Sequence, residues 1–328
     1  MIDSGARARA ASVVAAIVGL IIALSVIGYF NFGGVLTAIR PIGATGFLAV
    51  VAAQVGLFIP LGLAWWLLSS CAPARAPAFV WGRLMREAAS DVLPFSQLGG
   101  MAIATRVAVL GGVGAAEAFG SCVVDITFEV IAQLIYTLIG VALLAHQLGF
   151  DARINHILAP MLVGVATVAV CVGGFIFLQR RGLNWVEALV GRLAPSVGSQ
   201  AGAVIRVVEA AYGKPLALWG CLGLHMFCWF GAAGGTWLIL SFIGRPLPYL
   251  SVVAMESLLF AIRNAAFFVP SGLGVQEGAY VILGSLFGLP PDAALALSLL
   301  KRARDVAVGV PLLLIWQIEE GRGRLHRA

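Results

Sequence analysis

Six apolar stretches, over 11–30, 45–70, 118–147, 157–179, 215–243 and 292–318, are long enough to cross a bilayer, and they dictate most of what this chain can become. A hydrocarbon core about 30 Å thick is spanned by roughly 20 helical residues. Backbone N–H and C=O groups find no water there, so such stretches must be helices that satisfy their own hydrogen bonds. A soluble alternative fails on composition: 61% of the residues are hydrophobic and 11% charged, too few polar side chains to cover a water-facing surface. The expectation is an all-α membrane protein with about six transmembrane helices.

The first stretch follows Arg7 and Arg9 as a signal peptide would, but no small-residue cleavage site follows Tyr29, Phe30, Asn31 and Phe32. It is read as a retained helix. The five cysteines show no paired spacing, and Cys122, Cys171, Cys221 and Cys228 lie inside apolar stretches, which argues against a disulfide framework. With the N-terminus inside, 13 of the 21 Lys and Arg residues fall in cytoplasmic segments, Arg75, Arg83 and Arg86 among them. Three fall on the opposite side, and Arg106, Arg263, Lys301, Arg302 and Arg304 lie at membrane depth. That asymmetry predicts N-in and C-in. The net charge of +6 then belongs mostly to the cytoplasmic face, where it attracts anionic lipid heads and gives no reason to expect nucleic acid.

Two segments fit neither a full span nor a solvated loop. Phe79 to Val113 is broken at Leu93, Pro94 and Gly99-Gly100, and Leu250 to Leu289 is broken at Pro270, Gly272 and Gly274. Apolar helical sequence flanks each break, so both read as re-entrant helical hairpins, tolerated at membrane depth where protein or a water-filled cavity satisfies the backbone. An offset of 176 lays Pro94 on Pro270, Val113 on Leu289, Ala118 on Ala294 and Glu129 on Asp305. Span, hairpin, span therefore occurs twice, with the first spans of the two units pointing opposite ways: an inverted repeat, whose substrate site belongs near the midplane at the ends of broken helices. The chain divides into a tail and first helix (1–43), a first repeat (44–156), a fourth span with a connector (157–214), a second repeat (215–318) and a basic tail (319–328). In the connector, Trp185, Val186, Leu189, Val190 and Leu193 recur at helical spacing between arginines, as in an amphipathic helix on the cytoplasmic interface.

A charge at the centre of a span costs about 2.5–3.5 kcal/mol on insertion scales, so it should face a partner or a cavity. The last span carries Lys301, Arg302, Arg304 and Asp305. Lys301 and Asp305, one turn apart, can pair with each other and leave Arg302 and Arg304 in excess. Asp125 and Glu129 are the acidic counterpart on the third span, and Asp125, at the position matching Lys301, suits a structural network across the pseudo-twofold interface. The second hairpin offers a sharper site: Arg263 and Asn264 on its first arm, Pro270, Ser271, Gly272 and Gly274 at its tip, and Gln276 and Glu277 opening its second arm. Free N–H groups at such a tip suit an anion. Arg263 could add a bidentate contact, with Glu277 as its counter-ion or as a proton carrier. Arg106 lies at comparable depth on the first hairpin, and Asp91 reads as a helix-end residue. Cys221, His225 and Cys228 share one helical face, a spacing that could hold a soft metal but more simply reflects core packing, so neither a metal nor another cofactor is expected.

The segment VPSGLGVQEGA over 269–279 and the run LFGLPPDAALALSLLKR over 286–302 carry a resemblance to the lysylphosphatidylglycerol synthase/flippase transmembrane family. The Leu93-Pro94 hairpin and the Asp125 and Glu129 pair also fit, and the likeness covers essentially the whole chain. The Lys301 to Asp305 run with Trp316 and Gln317 looks like the branch found with hopanoid biosynthesis genes, HpnL. The resemblance implies a bacterial inner-membrane protein that moves a phospholipid, aminoacylated lipid or hopanoid between leaflets. Larger members carry a soluble synthase domain; here the chain stops shortly after the last span and no catalytic motif is found, so enzymatic activity is not expected. Arg263, Arg302 and Arg304 would then receive an anionic or hydroxyl-rich head, and Glu277, Asp125 and Glu129 would balance charge or carry protons. The expected partners are membrane lipids, with homo-oligomers left open. The contrasting expectation is a non-transporting scaffold for lipid- or hopanoid-modifying enzymes, acting through the connector.

Overall fold

The computed structural model of the chain describes residues 37, 40–92, 96–148, 164, 166–167, 169–179, 195–266 and 274–325. Its principal helices are α1 (Gly43–Leu68), α2 (Ala76–Val92), α3 (Ser96–Leu110), α4 (Ala115–Leu148), α5 (Pro195–Tyr212), α6 (Pro215–Phe242), α7 (Tyr249–Ala265), α8 (Val275–Leu286) and α9 (Pro291–Leu325). Among the described residues there is no strand. Arg40–Leu68, Ala115–Gln147 and Pro215–Phe242 are long and apolar enough to cross a membrane. The protein is thus an all-helical membrane protein. At 35 residues α9 has the length as well, but the charges at 301, 302, 304 and 305 interrupt its apolar character. The stretch 11–30 and most of 157–168 lie outside the described residues, as do Pro94, Pro270, Ser271, Gly272 and connector residues 180–194.

Helix order repeats within the chain. A long helix, two short ones flanking a break and a second long helix make up α1 to α4, at 26, 17, 15 and 34 residues. The same sequence of lengths, 28, 17, 12 and 35, makes up α6 to α9. The two halves also close their second hairpin arms identically. Gly112, at φ +85°, lets Val113 N–H reach the Ala108 carbonyl; Gly288, at φ +74°, lets Leu289 N–H reach that of Gly284. Both are Schellman ends, with a left-handed glycine and an apolar residue folded back on the helix. All three pairs of positions are 176 apart, so the register inferred from Pro94 and Pro270 holds in the backbone.

Packing between the halves follows an exchange rule. α1 packs on α6, α4 packs on α7, and α9 packs on α2. Swapping the halves maps each contact onto another, as a twofold relation requires. The α4–α7 crossing is close because Gly140 has no side chain: a Cβ there would stand 1.5 Å from Ser257 Oγ. Gly62 does the same for α1 against α2, where a Cβ would meet Val80 Cα at 2.4 Å. Small residues of this kind let helix backbones approach in a medium that supplies no hydrophobic drive between them.

The described part of the connector, α5, packs on α4 and α6 and buries Ile205, Val208 and Ala211. Its Tyr212 hydroxyl donates to Gln179, whose amide donates to Thr127 on α4, so Gln179 is tied into the bundle through polar side chains.

Candidate functional site

The first arms of both hairpins run inward beside long helices, and each carries charges at helical spacing. On α2 the positions Arg83, Glu87 and Asp91 fall at i, i+4 and i+8, on one face. On α7 the corresponding face holds Glu256, Phe260 and Arg263, and on α9 it holds Lys301, Arg304 and Asp305. These faces converge, with α1, α4 and α6, on a cavity of about 130 Å³. Four cations (Arg83, Arg263, Lys301, Arg304) and four anions (Glu87, Asp91, Glu129, Asp305) line it, beside an apolar wall that includes Phe58, Trp229 and Phe260. A cavity this size has room for a few waters or a polar head, since one water's share of the liquid is about 30 Å³.

The first half organises its charges around Arg83, which is 1% exposed. Its guanidinium reaches Glu87 at 2.8 Å, Asp125 at 3.1 Å and Glu129 at 2.7 Å. Arg86 adds a second contact to Glu129 at 2.8 Å. Asp125 is also met by His225 Nε2 at 2.9 Å and by Cys221 Sγ at 3.8 Å. Only the planar fork of arginine can bridge several carboxylates in this way.

In the second half the deepest acid is Glu256, fully buried. Lys301 Nζ stands 2.7 Å from one of its oxygens and donates to Thr236 Oγ1 at 3.2 Å, while the Tyr280 hydroxyl donates to the other oxygen. Lys301 also lies over the Phe260 and Tyr280 rings, at 5.7 and 5.4 Å. Beside it, Arg304 pairs with Asp305 at 2.7 Å. On the other side of α9, Arg302 holds Glu277.

Several of these partnerships differ from those read in the sequence. Lys301 pairs with Glu256 and not with Asp305, because an internal pair on α9 would leave Glu256 buried without a counter-charge. Asp125 belongs to Arg83, Arg86 and His225, so the structural network around it lies mainly within its own half and does not run to Lys301. Arg83 and Arg86, assigned to a cytoplasmic segment, are buried in the bundle because α2 begins at Ala76 and carries them inward. Arg302 and Arg304 are matched by carboxylates, so no basic surplus remains there. Arg106 and Asn264 are exposed and do not line the cavity.

The start of α8 adds a partnership of its own. Gly274, at φ +78°, caps α8, and its N–H donates to Glu277 Oε2 at 2.8 Å. Ser298 Oγ donates to the same carboxylate at 3.2 Å, and Gln276 donates to Ser298 Oγ at 3.0 Å. One N–H at this helix N-terminus, that of Gly274, is thus taken by the protein's own carboxylate, the Glu-to-backbone half of a capping box. Pro270, Ser271 and Gly272 of the expected anion site lie outside the described residues, and Glu277 serves Arg302 in place of Arg263. Arg263 instead faces the cavity, with its guanidinium carbon 5.9 Å from the Phe260 ring. Of the cysteine and histidine face on α6, Cys221 and His225 gather with Asp125 within 4.8 Å, while Cys228 donates to the Leu57 carbonyl.

Arg83, Glu87 and Glu256 were missed as site residues. The i, i+4, i+8 stripe on α2 was the available signal for the first two, and an acid inside the mostly apolar run 250–262 of α7 for the third.

The profile of the family described as lysylphosphatidylglycerol synthase TM region matches residues 16–312, nearly the whole chain. It does not single out the hopanoid-associated branch. Neither the search of curated proteins nor that of solved structures found a match.

Proposed function

The chain belongs to the lysylphosphatidylglycerol synthase transmembrane region family, and from that membership and the chemistry of the cavity we propose that it is a lipid translocase of the bacterial inner membrane. The observation that carries this reading is a cavity lined by eight charged side chains inside a bundle of predominantly apolar helices. Burying so many charges for stability alone is a poor design, since a well-packed apolar core is as stable or more so. A polar compartment beside lipid, by contrast, is what an amphiphile's head needs in order to pass the hydrocarbon.

Movement is supported by how the charges are partitioned. The Lys and Arg ion pairs described above join residues of the same half, and His225 with Asp125 crosses between the halves. One half can then rock against the other without separating an arginine or lysine from its carboxylate. In this reading the halves are an inverted repeat, N-in and C-in, and the cavity opens to one leaflet and then the other.

The experiment is transport by the purified full chain in liposomes, following acyl-labelled lipids from one leaflet to the other. Faster crossing than in protein-free vesicles is expected, and Arg263→Ala should slow it about tenfold or more, the loss of one charged contact. An unchanged rate for every lipid tried would sink the proposal. If mutations in the 180–214 connector then altered membrane lipid composition while Arg263→Ala did not, a scaffold for lipid-modifying enzymes would replace it.

A further inference from the structure

Most charges of the cavity are already spoken for. Arg83 is held by Glu87, Asp125 and Glu129, Lys301 by Glu256, and Arg304 by Asp305. Two lining residues, Asp91 and Arg263, make no ion pair with another described residue. They have opposite sign, and although the 176-residue register sets Arg263 on Glu87, one turn before Asp91, both lie near the C-terminal end of a first arm. Asp91 is next to last in α2 and Arg263 third from last in α7, so each hairpin delivers one uncommitted charge just before its break. Both line the same cavity, which puts the two open charges in one compartment.

From this pairing we infer that the cavity selects a head of no net charge that carries both an anionic phosphate and an ammonium, as in an ethanolamine phospholipid. The inference rests on the translocase reading and narrows its substrate class. A phosphate would sit on Arg263, whose fork matches its oxygens, and the ammonium would sit on Asp91. Phe260 and Trp229 supply ring faces beside them. The cavity is neutral, with four charges of each sign, so a head of either net charge would enter a site that cannot balance it. An anionic head leaves Asp91 facing added negative charge, and a cationic one leaves Arg263 without its counter-ion. Rejection of wrong heads by the unmatched charge is specificity through repulsion. The small volume admits the head alone, and the acyl chains stay in lipid.

The test uses the full chain in vesicles and acyl-labelled lipids with three heads: phosphoethanolamine, phosphoglycerol, and a lysine-esterified phosphoglycerol with net positive charge. The ethanolamine lipid is expected to cross about tenfold faster than either of the others. Asp91→Asn should slow it while leaving or raising the crossing of the phosphoglycerol lipid, a change of preference that a merely loosened fold would not produce. The exchanged pair, Asp91→Arg with Arg263→Asp, should restore ethanolamine-lipid crossing. Glycerophosphoethanolamine, the same head without chains, should compete at the site but should not accumulate inside. If the chain speeds the phosphoglycerol or the cationic lipid as much as the ethanolamine lipid, the inference is overturned and translocation stands. If no lipid is accelerated, or only the water-soluble head is carried, the translocase reading fails with it.

Discussion

Lys301 and Glu256 meet at 2.7 Å with 4% and 0% of their surfaces exposed, and the acid's second oxygen accepts from Tyr280. Three helices, α7, α8 and α9, are joined at this one carboxylate.

Glu256→Gln leaves an uncompensated cation beside Thr236 and two aromatic rings. Stability in detergent is expected to fall by about 3–5 kcal/mol, and adding Lys301→Met should recover most of it, since removing both charges costs far less than removing one. Thermal unfolding of the two variants checks the order.

Arg83 should resist conservative replacement. Arg83→Lys keeps the charge but cannot reach Glu87, Asp125 and Glu129 together, so a loss of about 2–4 kcal/mol is expected, nearer that of Arg83→Met than that of the native chain. Denaturant midpoints of the three proteins decide it.

The α4–α7 crossing has no room for a methyl group. Gly140→Ala should destabilise by about 1–3 kcal/mol, as overpacking does, and Ser257→Gly in the same chain should relieve much of that, because Ser257 Oγ is the atom in the way. An additive double mutant would show that the crossing is looser than described.

Gly112 and Gly288 hold the same backbone conformation but different surroundings. Alanine at Gly288 meets open space, so only the left-handed penalty of about 1 kcal/mol is expected. Alanine at Gly112 would also strike the Arg75 guanidinium, which caps α3 through the Gly111 carbonyl at 2.7 Å, and should cost more. Equal losses at the two sites would contradict this.

What could be read from residues alone was whatever depends on local order. Long apolar runs announce helices in lipid, and Pro94 and Pro270 with their glycines announce breaks, because these act through the backbone of their own neighbourhood. The 176-residue register was legible for the same reason. The partners of the charges were not. Lys301 is one turn from Asp305 and 45 positions from Glu256, and which it takes depends on how α7 and α9 lie together, something no spacing within α9 encodes. At the start of α8 a glycine before a helix leaves N–H groups to be satisfied, and that of Gly274 is met by the side chain three residues on, Glu277.

The confinement of the described Lys and Arg ion pairs to one half or the other bears on how the protein is made. A ribosome delivers the first half well before the second, and an inserting segment whose charges waited for distant partners would stall outside the hydrocarbon or recruit water into it. Arg83 and Arg86 meet Glu87, Asp125 and Glu129 as soon as α4 is synthesised, and the second half repeats the economy with Glu256 and Glu277. Two polypeptides divided within 180–194 and produced together should therefore each enter the membrane and assemble into a working whole.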